Sequence, residues 1–218
     1  MAEGVKPRRY HSPQRARQAA ETRGAILAAA RELLAAQGWA ATTVAQIARR
    51  AAVSVDTVYA SVGRKPQVLR ELVETALSGT DEPVPGEQRD YVRRMLAASG
   101  ARAKLRLYAE GIGELQQRLA PIFLALRDAA VTDRDCAALW REIAERRRGN
   151  MLRLAADLRA TGELRVDLSD EHVADVIWSM NAAEYWVLLV HERAWTPERF
   201  VEHLTDTWTR TLLTTARG

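Results

Sequence analysis

Residues 54–65 read SVDTVYASVGRK, and this stretch decides the fold assignment. Its main apolar residues are three valines, so it has too few apolar side chains for a core helix. It also has too little Gly and no Pro, so it does not read as a loop. Ser54 is a residue type that caps helix N-termini, and Arg64 and Lys65 close the stretch. The pattern predicts a short helix that is held by a narrow valine edge and turns polar groups outward.

Two further helices precede this one. An apolar stripe at helical spacing predicts a long helix over 14–37, which Gly38 ends. The segment ATTVAQIARRA (41–51) predicts a two-turn helix capped by Thr42 or Thr43, and a brief AAV turn joins it to Ser54. This order is typical of a helix-turn-helix, in which the first short helix crosses the DNA backbone and the second enters the major groove.

Composition favours an all-α protein. The chain has 218 residues, of which 47% are hydrophobic, with only 12 Gly and 7 Pro to supply turns. The stretch SGTDEPVPGEQ (78–88) is the clearest linker. We predict a basic, disordered arm over 1–19, the helix-turn-helix domain over 20–65, a connecting helix over 66–78 and a helical regulatory and dimerisation domain over 79–218. The helices of that last domain are predicted at 89–99, 101–118, 121–130, 133–160, 170–193 and 197–215, with Asp133 and Asp170 as caps and Pro121 and Pro197 in first turns.

Charge is uneven along the chain. Residues 1–65 carry +7 and the remainder carries −3, within a total of +4. A basic segment on a mildly acidic body suggests contact with a polyanion, although a solvated basic tail would show the same pattern. The arm contributes several of these charges, which we expect near a DNA minor groove or backbone if it binds: Arg8, Arg9, Arg15 and Arg17.

A family resemblance covers residues 23–73. Six features match in order: the helix AILAAARELLAAQG, the cap TT, the pair IA, the turn VS, the Tyr of TVY and Lys65 before PQVL. Together they resemble the N-terminal domain of the TetR/AcrR family of transcriptional regulators. Residues 175–213 resemble the last two helices of that family, which usually build the dimer. Two departures are Ala52, where the family commonly has Gly, and Val62, where it often has an aromatic residue.

The resemblance implies roles for the helix-turn-helix residues. Thr43, Tyr59 and Lys65 are expected to contact phosphates, which fixes register without reading sequence. Val55, Asp56 and Thr57 are expected to face the groove, although Asp56 also suits the first turn of a helix by complementing its dipole. The full set of expected DNA-binding residues is Thr43, Ser54, Val55, Asp56, Thr57, Tyr59, Ser61 and Lys65.

The C-terminal helices are expected to serve two further roles. The apolar side chains of the last two helices indicate a homodimer, with Trp178, Tyr185, Leu189, Phe200, Leu204, Trp208 and Leu212 as interface candidates. The resemblance implies a pocket for a largely apolar small-molecule effector, with Met95, Tyr108, Phe123, Trp140, Trp178 and Asn181 as lining candidates. Asn181 and Glu184 are neighbours on one helix surface, and they can meet a ligand, a partner chain or an Arg of the next helix. The run RRRGN (146–150) reads as a solvated face.

These observations favour a DNA-binding regulator, specifically a repressor that an effector releases from a pseudo-palindromic operator on double-stranded DNA. The alternative is a helical sensor or scaffold that has lost DNA binding. An enzyme is not expected, because the four His are scattered and no phosphate loop or nucleophile motif is present. We expect no metal, no cofactor, no membrane association and a cytoplasmic, nucleoid-associated location, with Cys136 as a core thiol.

Overall fold

The computed structural model describes residues 13–79 and 84–214. Within these ranges the protein is all-α, as predicted, and the only β feature is an isolated bridge between Leu164 and Leu213. The ten α-helices are α1 (Pro13–Ala41), α2 (Val44–Arg50), α3 (Val55–Ser61), α4 (Lys65–Ser78), α5 (Asp90–Ala97), α6 (Ala101–Ala130), α7 (Arg134–Arg159), α8 (Asp170–Met180), α9 (Ala183–Trp186) and α10 (Pro197–Leu212). A 3-10 turn (Gly86–Gln88) precedes α5, and a π-helical turn (Val187–Glu192) follows α9.

The first three helices form the predicted helix-turn-helix domain. Helix α1 is broken at Gly38 (φ 73°, ψ −177°), a conformation that glycine adopts without a Cβ clash, and its last residues continue to Ala41. The predicted arm is helical where the structure describes it, because residues 13–19 belong to α1; residues 1–12, with Arg8 and Arg9, lie outside the described residues. Within α3, the side chain of Val58 is fully buried, whereas that of Val55 is exposed.

The turn between α2 and α3 contains one strained residue. Ala52 has a φ of 55°, in the left-handed region where a Cβ meets the neighbouring carbonyl oxygen. The turn nevertheless closes, because the backbone N–H of Val53 donates to the carbonyl oxygen of Ala48 at 3.0 Å. Replacement of the family's glycine by Ala52 therefore leaves the turn geometry in place at a cost in strain.

Helix α4 leads from the helix-turn-helix domain into the rest of the protein. Pro66 lies in its first turn, as predicted, and Gly79 caps its end. Its apolar stripe, Val68, Leu69, Leu72, Val73, Ala76 and Leu77, is buried. This stripe packs against α1 and α6, so the same helix belongs to the cores of both parts.

Helix α6 is the centre of the larger part and packs against α1, α4, α5, α7, α9 and α10. The predicted break between 118 and 121 is wrong, because Pro121 lies inside α6. The Pro121 ring is on the exposed side while its neighbours Ala120 and Ile122 are buried, so water can satisfy the carbonyl that loses its helical partner. Gly113 allows the close approach of α10, since a Cβ there would lie 2.5 Å from Val201 Cγ2.

The predicted helix 170–193 is two helices. Helix α8 ends at Met180, Asn181 takes the C-cap position, and α9 begins at Ala183. Ser169, rather than the predicted Asp170, caps α8 by accepting a hydrogen bond from the backbone N–H of His172. The other predicted boundaries of this kind are confirmed, because Asp133 caps α7 and Pro197 opens α10.

The interface prediction for α10 is wrong. Its four apolar residues at intervals of four are fully buried within a single chain: Phe200, Leu204, Trp208 and Leu212. They pack largely against α6. A side chain without exposed surface cannot also contact a second chain, so this stripe belongs to the core.

Two other features concern the chain as a whole. Cys136 is fully buried, and burial together with the Asp133 carboxylate raises its pKa to about 12, which keeps the thiol protonated and unreactive. Among the described residues, no single helix has the length and apolar character to cross a bilayer, although the bent pair Asp170–Met180 and Ala183–Glu192 passes on length and composition alone.

We expect Ala52→Gly to raise the free energy of unfolding by roughly 0.5–1 kcal/mol, because glycine removes the left-handed strain and gives back part of the gain as backbone entropy. Urea denaturation followed by circular dichroism measures the change. Ala51→Gly is the matched control, since Ala51 has an ordinary φ of −81° and should lose stability. A loss of stability in Ala52→Gly would contradict this account of the turn.

Candidate nucleic-acid interface and internal cavity

Helix α3 presents a small, mostly polar face to solvent. Val55 is 37% exposed and Tyr59 is 49% exposed, while Asp56 and Ala60 are also on the surface. Val58 is the buried contact on the opposite side. The helix therefore has one edge fixed in the protein and an outer face that no described residue covers, which is the arrangement that a major-groove reader requires.

Both short helices begin with side-chain caps. Thr43 forms a capping box with Gln46: its hydroxyl oxygen accepts from the Gln46 backbone N–H at 3.2 Å, and its own N–H donates to Gln46 Oε1 at 2.8 Å. Ser54 Oγ accepts from the Thr57 N–H at 3.0 Å and lies 2.8 Å from Thr57 Oγ1. The Thr57 hydroxyl is thus partly engaged by its own cap, and its methyl group remains available to a thymine methyl.

Tyr59 lies beside a basic groove. Val44, Tyr59, Gly63, Arg64, Lys65 and Pro66 line an open surface groove next to the end of α3. Among the described residues the Tyr59 hydroxyl has no hydrogen-bond partner, so it is available to a phosphate oxygen. Arg64 is exposed in this groove and was missing from the sequence-based set, although its position in GRK directly after the helix was a usable signal.

Lys65 has an intramolecular role beside the expected one. Its ammonium donates to the carbonyl oxygen of Trp39 at 2.5 Å and lies 3.8 Å from the centre of the Trp39 ring. Burial lowers the pKa of Lys65 from its usual value. The side chain therefore fastens the start of α4 to the end of α1, and a phosphate would add to these contacts through the remaining ammonium hydrogens.

The family model for bacterial regulatory proteins of the tetR family matches residues 26–72. This range runs from the middle of α1 through the helix-turn-helix into α4. Over residues 26–72 the chain therefore matches the tetR family of bacterial regulatory proteins. The resemblance to that family is confirmed over α2, α3 and the parts of α1 and α4 that pack against them.

Solved structures share the fold over most of the chain. NalD, the secondary repressor of the MexAB-OprM multidrug efflux pump in Pseudomonas aeruginosa, is 21% identical with a TM-score of 0.69 over 91% of this chain and 100% of NalD. The fatty acid degradation regulator FadR from Bacillus halodurans is 18% identical, with a TM-score of 0.70 over 86% of this chain and 94% of FadR. A protein from Saccharomonospora viridis in complex with choline is 17% identical, with a TM-score of 0.68 over 89% and 99%. Among curated proteins, none matches the chain.

The part of this TetR-like chain beyond α4 contains a cavity of about 70 Å³. Leu77, at the end of α4, forms part of its wall, together with residues of α6, α7 and α9. A larger neighbouring cavity of about 200 Å³ shares part of this wall, including Arg89, Tyr91 and Tyr108.

The structure places the predicted pocket residues in different surroundings. Tyr108, Phe123 and Asn181 line the first cavity, and Met95 lines the second. Trp140 lines neither, because its ring packs 4.7 Å from the Phe123 ring, centre to centre, behind the wall. Trp178 is 37% exposed and lines a separate surface depression.

A polar network crosses the cavity wall at the break between α8 and α9. Asn181 Nδ2 donates to the Tyr108 hydroxyl at 2.9 Å, and Asn181 Oδ1 accepts from Arg147 at 2.6 Å. The Gln116 amide donates to the Asn181 carbonyl oxygen at 2.6 Å. Burial strongly raises the pKa of Tyr108, so its hydroxyl stays protonated. Of the alternatives for the polar pair, an Arg of a neighbouring helix is what the structure shows: Arg147 for Asn181 and Arg127, at 3.3 Å, for Glu184.

The run RRRGN (146–150) is not a uniformly solvated face. Arg147 points inward because it lies four residues after buried Ile143 and four before buried Met151, on the stripe that α7 turns to the core. The inward orientation of Arg147 could have been predicted from this spacing in the sequence. Arg146 instead reaches α4, where it pairs with Glu74 at 2.8 Å, and Arg148 is exposed.

Helices α4 and α7 are joined by a second ion pair. The Arg70 guanidinium donates to both carboxylate oxygens of Glu142, at 3.0 and 2.9 Å. These hydrogen bonds lower the pKa of Glu142, so the pair is complete at neutral pH and is lost as the pH falls through that pKa. Together with Glu74–Arg146, it forms what we term the α4–α7 clasp.

Proposed function

We propose that the protein is a ligand-responsive, sequence-specific DNA-binding transcriptional regulator that acts in the cytoplasm. The observation that carries this proposal is the outer face of α3, which is exposed and includes Asp56 and Tyr59, while its opposite edge is fixed by the buried Val58. By this account Val55, Asp56 and Thr57 meet base edges, and Tyr59, Thr43 and Lys65 meet phosphates. The alternative of a scaffold without DNA binding loses its main support, since Ala52 leaves the turn geometry intact.

We further propose a homodimer, because one reading helix per chain contacts few base pairs and a pseudo-palindromic operator needs two. With the stripe of α10 in the core, the interface falls on the outer surface of α8, α9 and the π-helical turn. Side chains with exposed apolar surface in this region include Trp178, which is 37% exposed, Tyr185 and Leu189, which are partly exposed, and Leu188, which is 50% exposed.

A ligand in the cavity would act on DNA binding through α4. Leu77 at the end of α4 contacts the cavity, and Lys65 at its start follows the reading helix directly. The 14 residues between these ends make a rod of about 21 Å. The α4–α7 clasp ties the same rod to the helix that carries Arg147. Displacement of α7 by a ligand would therefore move the reading head, and the description of NalD as a repressor favours release from the operator as the outcome.

Mutation of the reading head separates positioning from reading. Tyr59→Phe should weaken binding to operator and to unrelated DNA by the same factor, roughly 2- to 10-fold, because one phosphate hydrogen bond is lost. Thr57→Val should instead change base preference. Lys65→Met should lower the slope of log affinity against log salt by about one. Fluorescence anisotropy at several salt concentrations measures all three, on a fragment found by genome-wide mapping of binding sites.

The control for these variants is Arg102→Met, which removes an exposed charge at the start of α6, far from the groove in the chain. Its salt slope and base preference should match those of the parent. If all three reading-head variants also bind DNA as the parent does, α3 is not the reader.

The interface proposal is tested at its most exposed apolar residue. Leu188→Glu should shift the protein from dimer to monomer, because it places a charge in an apolar contact that must lose water. Sedimentation equilibrium reports the change. Val166→Glu is the matched control, since Val166 is 93% exposed in a loop outside the proposed interface. A dimer that persists unchanged in Leu188→Glu would place the interface elsewhere.

A further inference from the structure

The wall of the first cavity carries unbalanced charge. Two of its residues are cationic, Arg89 and Arg147, and no Asp or Glu of the described chain belongs to this wall. Most of the remaining lining is apolar or aromatic. A cation in such surroundings lacks the hydration that it has in water, so an anion bound next to it would stabilise it.

Arg147 is satisfied only by neutral groups. Its guanidinium donates to Asn181 Oδ1 at 2.6 Å and to the Trp178 carbonyl oxygen at 3.2 Å, and it lies 5.0 Å from the Trp178 ring centre. Glu184 is the acid that acts on it electrostatically, but the Glu184 carboxylate is bonded to Arg127. Burial lowers the pKa of Arg147, yet a guanidinium remains charged at neutral pH. The site thus contains a cation without a bonded counter-ion among the described residues.

Two polar atoms of the same wall have no partner among the described residues. Gln116 is 3% exposed, and its amide nitrogen is bonded to Asn181 while its Oε1 is buried and unpaired. The Arg89 Nε–H is likewise buried and unpaired. Because an unmet buried acceptor or donor is unfavourable, a ligand that bonds to these atoms gains the free energy of the missing hydrogen bonds.

We propose that the cavity binds a small organic anion, with its carboxylate against Arg147 and Arg89, a hydroxyl or N–H donor on Gln116 Oε1, and an apolar or aromatic body. This inference rests on the proposed function and deepens it, since it assigns the chemical class of the effector. It refines the expectation of a largely apolar effector by adding one negative charge and one donor.

The geometry around the site accommodates the rest of such a molecule. The apolar wall includes Ile112, Leu119 and Phe123. The neighbouring cavity shares Tyr91, Tyr108 and Met151 with the first, so a longer body can extend into it. Arg146 of the α4–α7 clasp directly precedes Arg147 on α7. An anion that displaces Arg147 would therefore also disturb the ion pair between Arg146 and Glu74 of α4.

The test uses the full chain without DNA and three pairs of probes. Benzoate, 4-hydroxycinnamate and octanoate are each compared with the primary amide of the same skeleton, which has the same shape and no charge. Isothermal titration calorimetry gives the dissociation constants, and thermal unfolding gives the shift in Tm. We expect at least one carboxylate to bind 10-fold or more tightly than its amide. Cinnamate is titrated as one further probe, and we expect it to bind less tightly than 4-hydroxycinnamate because it lacks the hydroxyl that reaches Gln116.

Arg147→Met should abolish the preference for carboxylate over amide, whereas Arg148→Met, at the exposed neighbouring position, should keep it. The comparison of carboxylate with amide on the parent protein needs no variant, so it decides the matter even if Arg147→Met does not fold. Equal binding of acids and amides, binding of none of the three acids, or a preference that survives in folded Arg147→Met would overturn the proposal. None of these results bears on DNA binding, which is measured separately.

Discussion

Helix α4 is the constraint on which the rest of the structure depends, because it belongs to two cores at once. Its apolar stripe packs on α1 and α6, and its polar edge is held at successive turns. Arg23 of α1 pairs with Glu71, the α4–α7 clasp holds Arg70 and Glu74, and Arg118 of α6 donates to the Ala76 carbonyl oxygen at 2.8 Å. Because α4 is held by α1, α6 and α7, we expect it to move as a rigid body, so its position fixes where α3 lies relative to the cavity.

The reading helix is small, and the structure explains how so small a helix is placed. Lys65 fastens the following helix to Trp39, the capping box of Thr43 fixes the start of α2, and Ser54 fixes the start of α3. Because these contacts position α3, its outer face does not have to contribute to positioning and can consist of a few small and partly acidic side chains. The strain at Ala52 is a local cost of the same turn.

Local patterns predicted the helix-turn-helix and its caps because those features depend on residues within a few positions of one another. Apart from the cap of α8, which is Ser169 and not Asp170, most of the predictions that failed depended on long-range packing. Pro121 stays inside α6 because the surrounding core outweighs one lost hydrogen bond, and Phe200 and Trp208 are buried because α6 lies against them. Arg147 was hidden in a charge run, although its spacing from Ile143 and Met151 places it on the buried stripe. The cavity itself joins residues from five helices and could not be read from any one segment.

The central claim is that cavity and reading head are coupled through α4 and its clasp to α7. The most direct measurement is the affinity for operator DNA with the cavity empty and saturated by the tightest carboxylate probe, in the parent and in the double variant Glu74→Gln, Glu142→Gln. Binding at one of two coupled sites typically changes the affinity of the other by about 5- to 150-fold. We expect a weakening of DNA binding within that range in the parent and a much smaller effect in the double variant. Probe binding that leaves operator affinity unchanged in the parent would contradict the coupling.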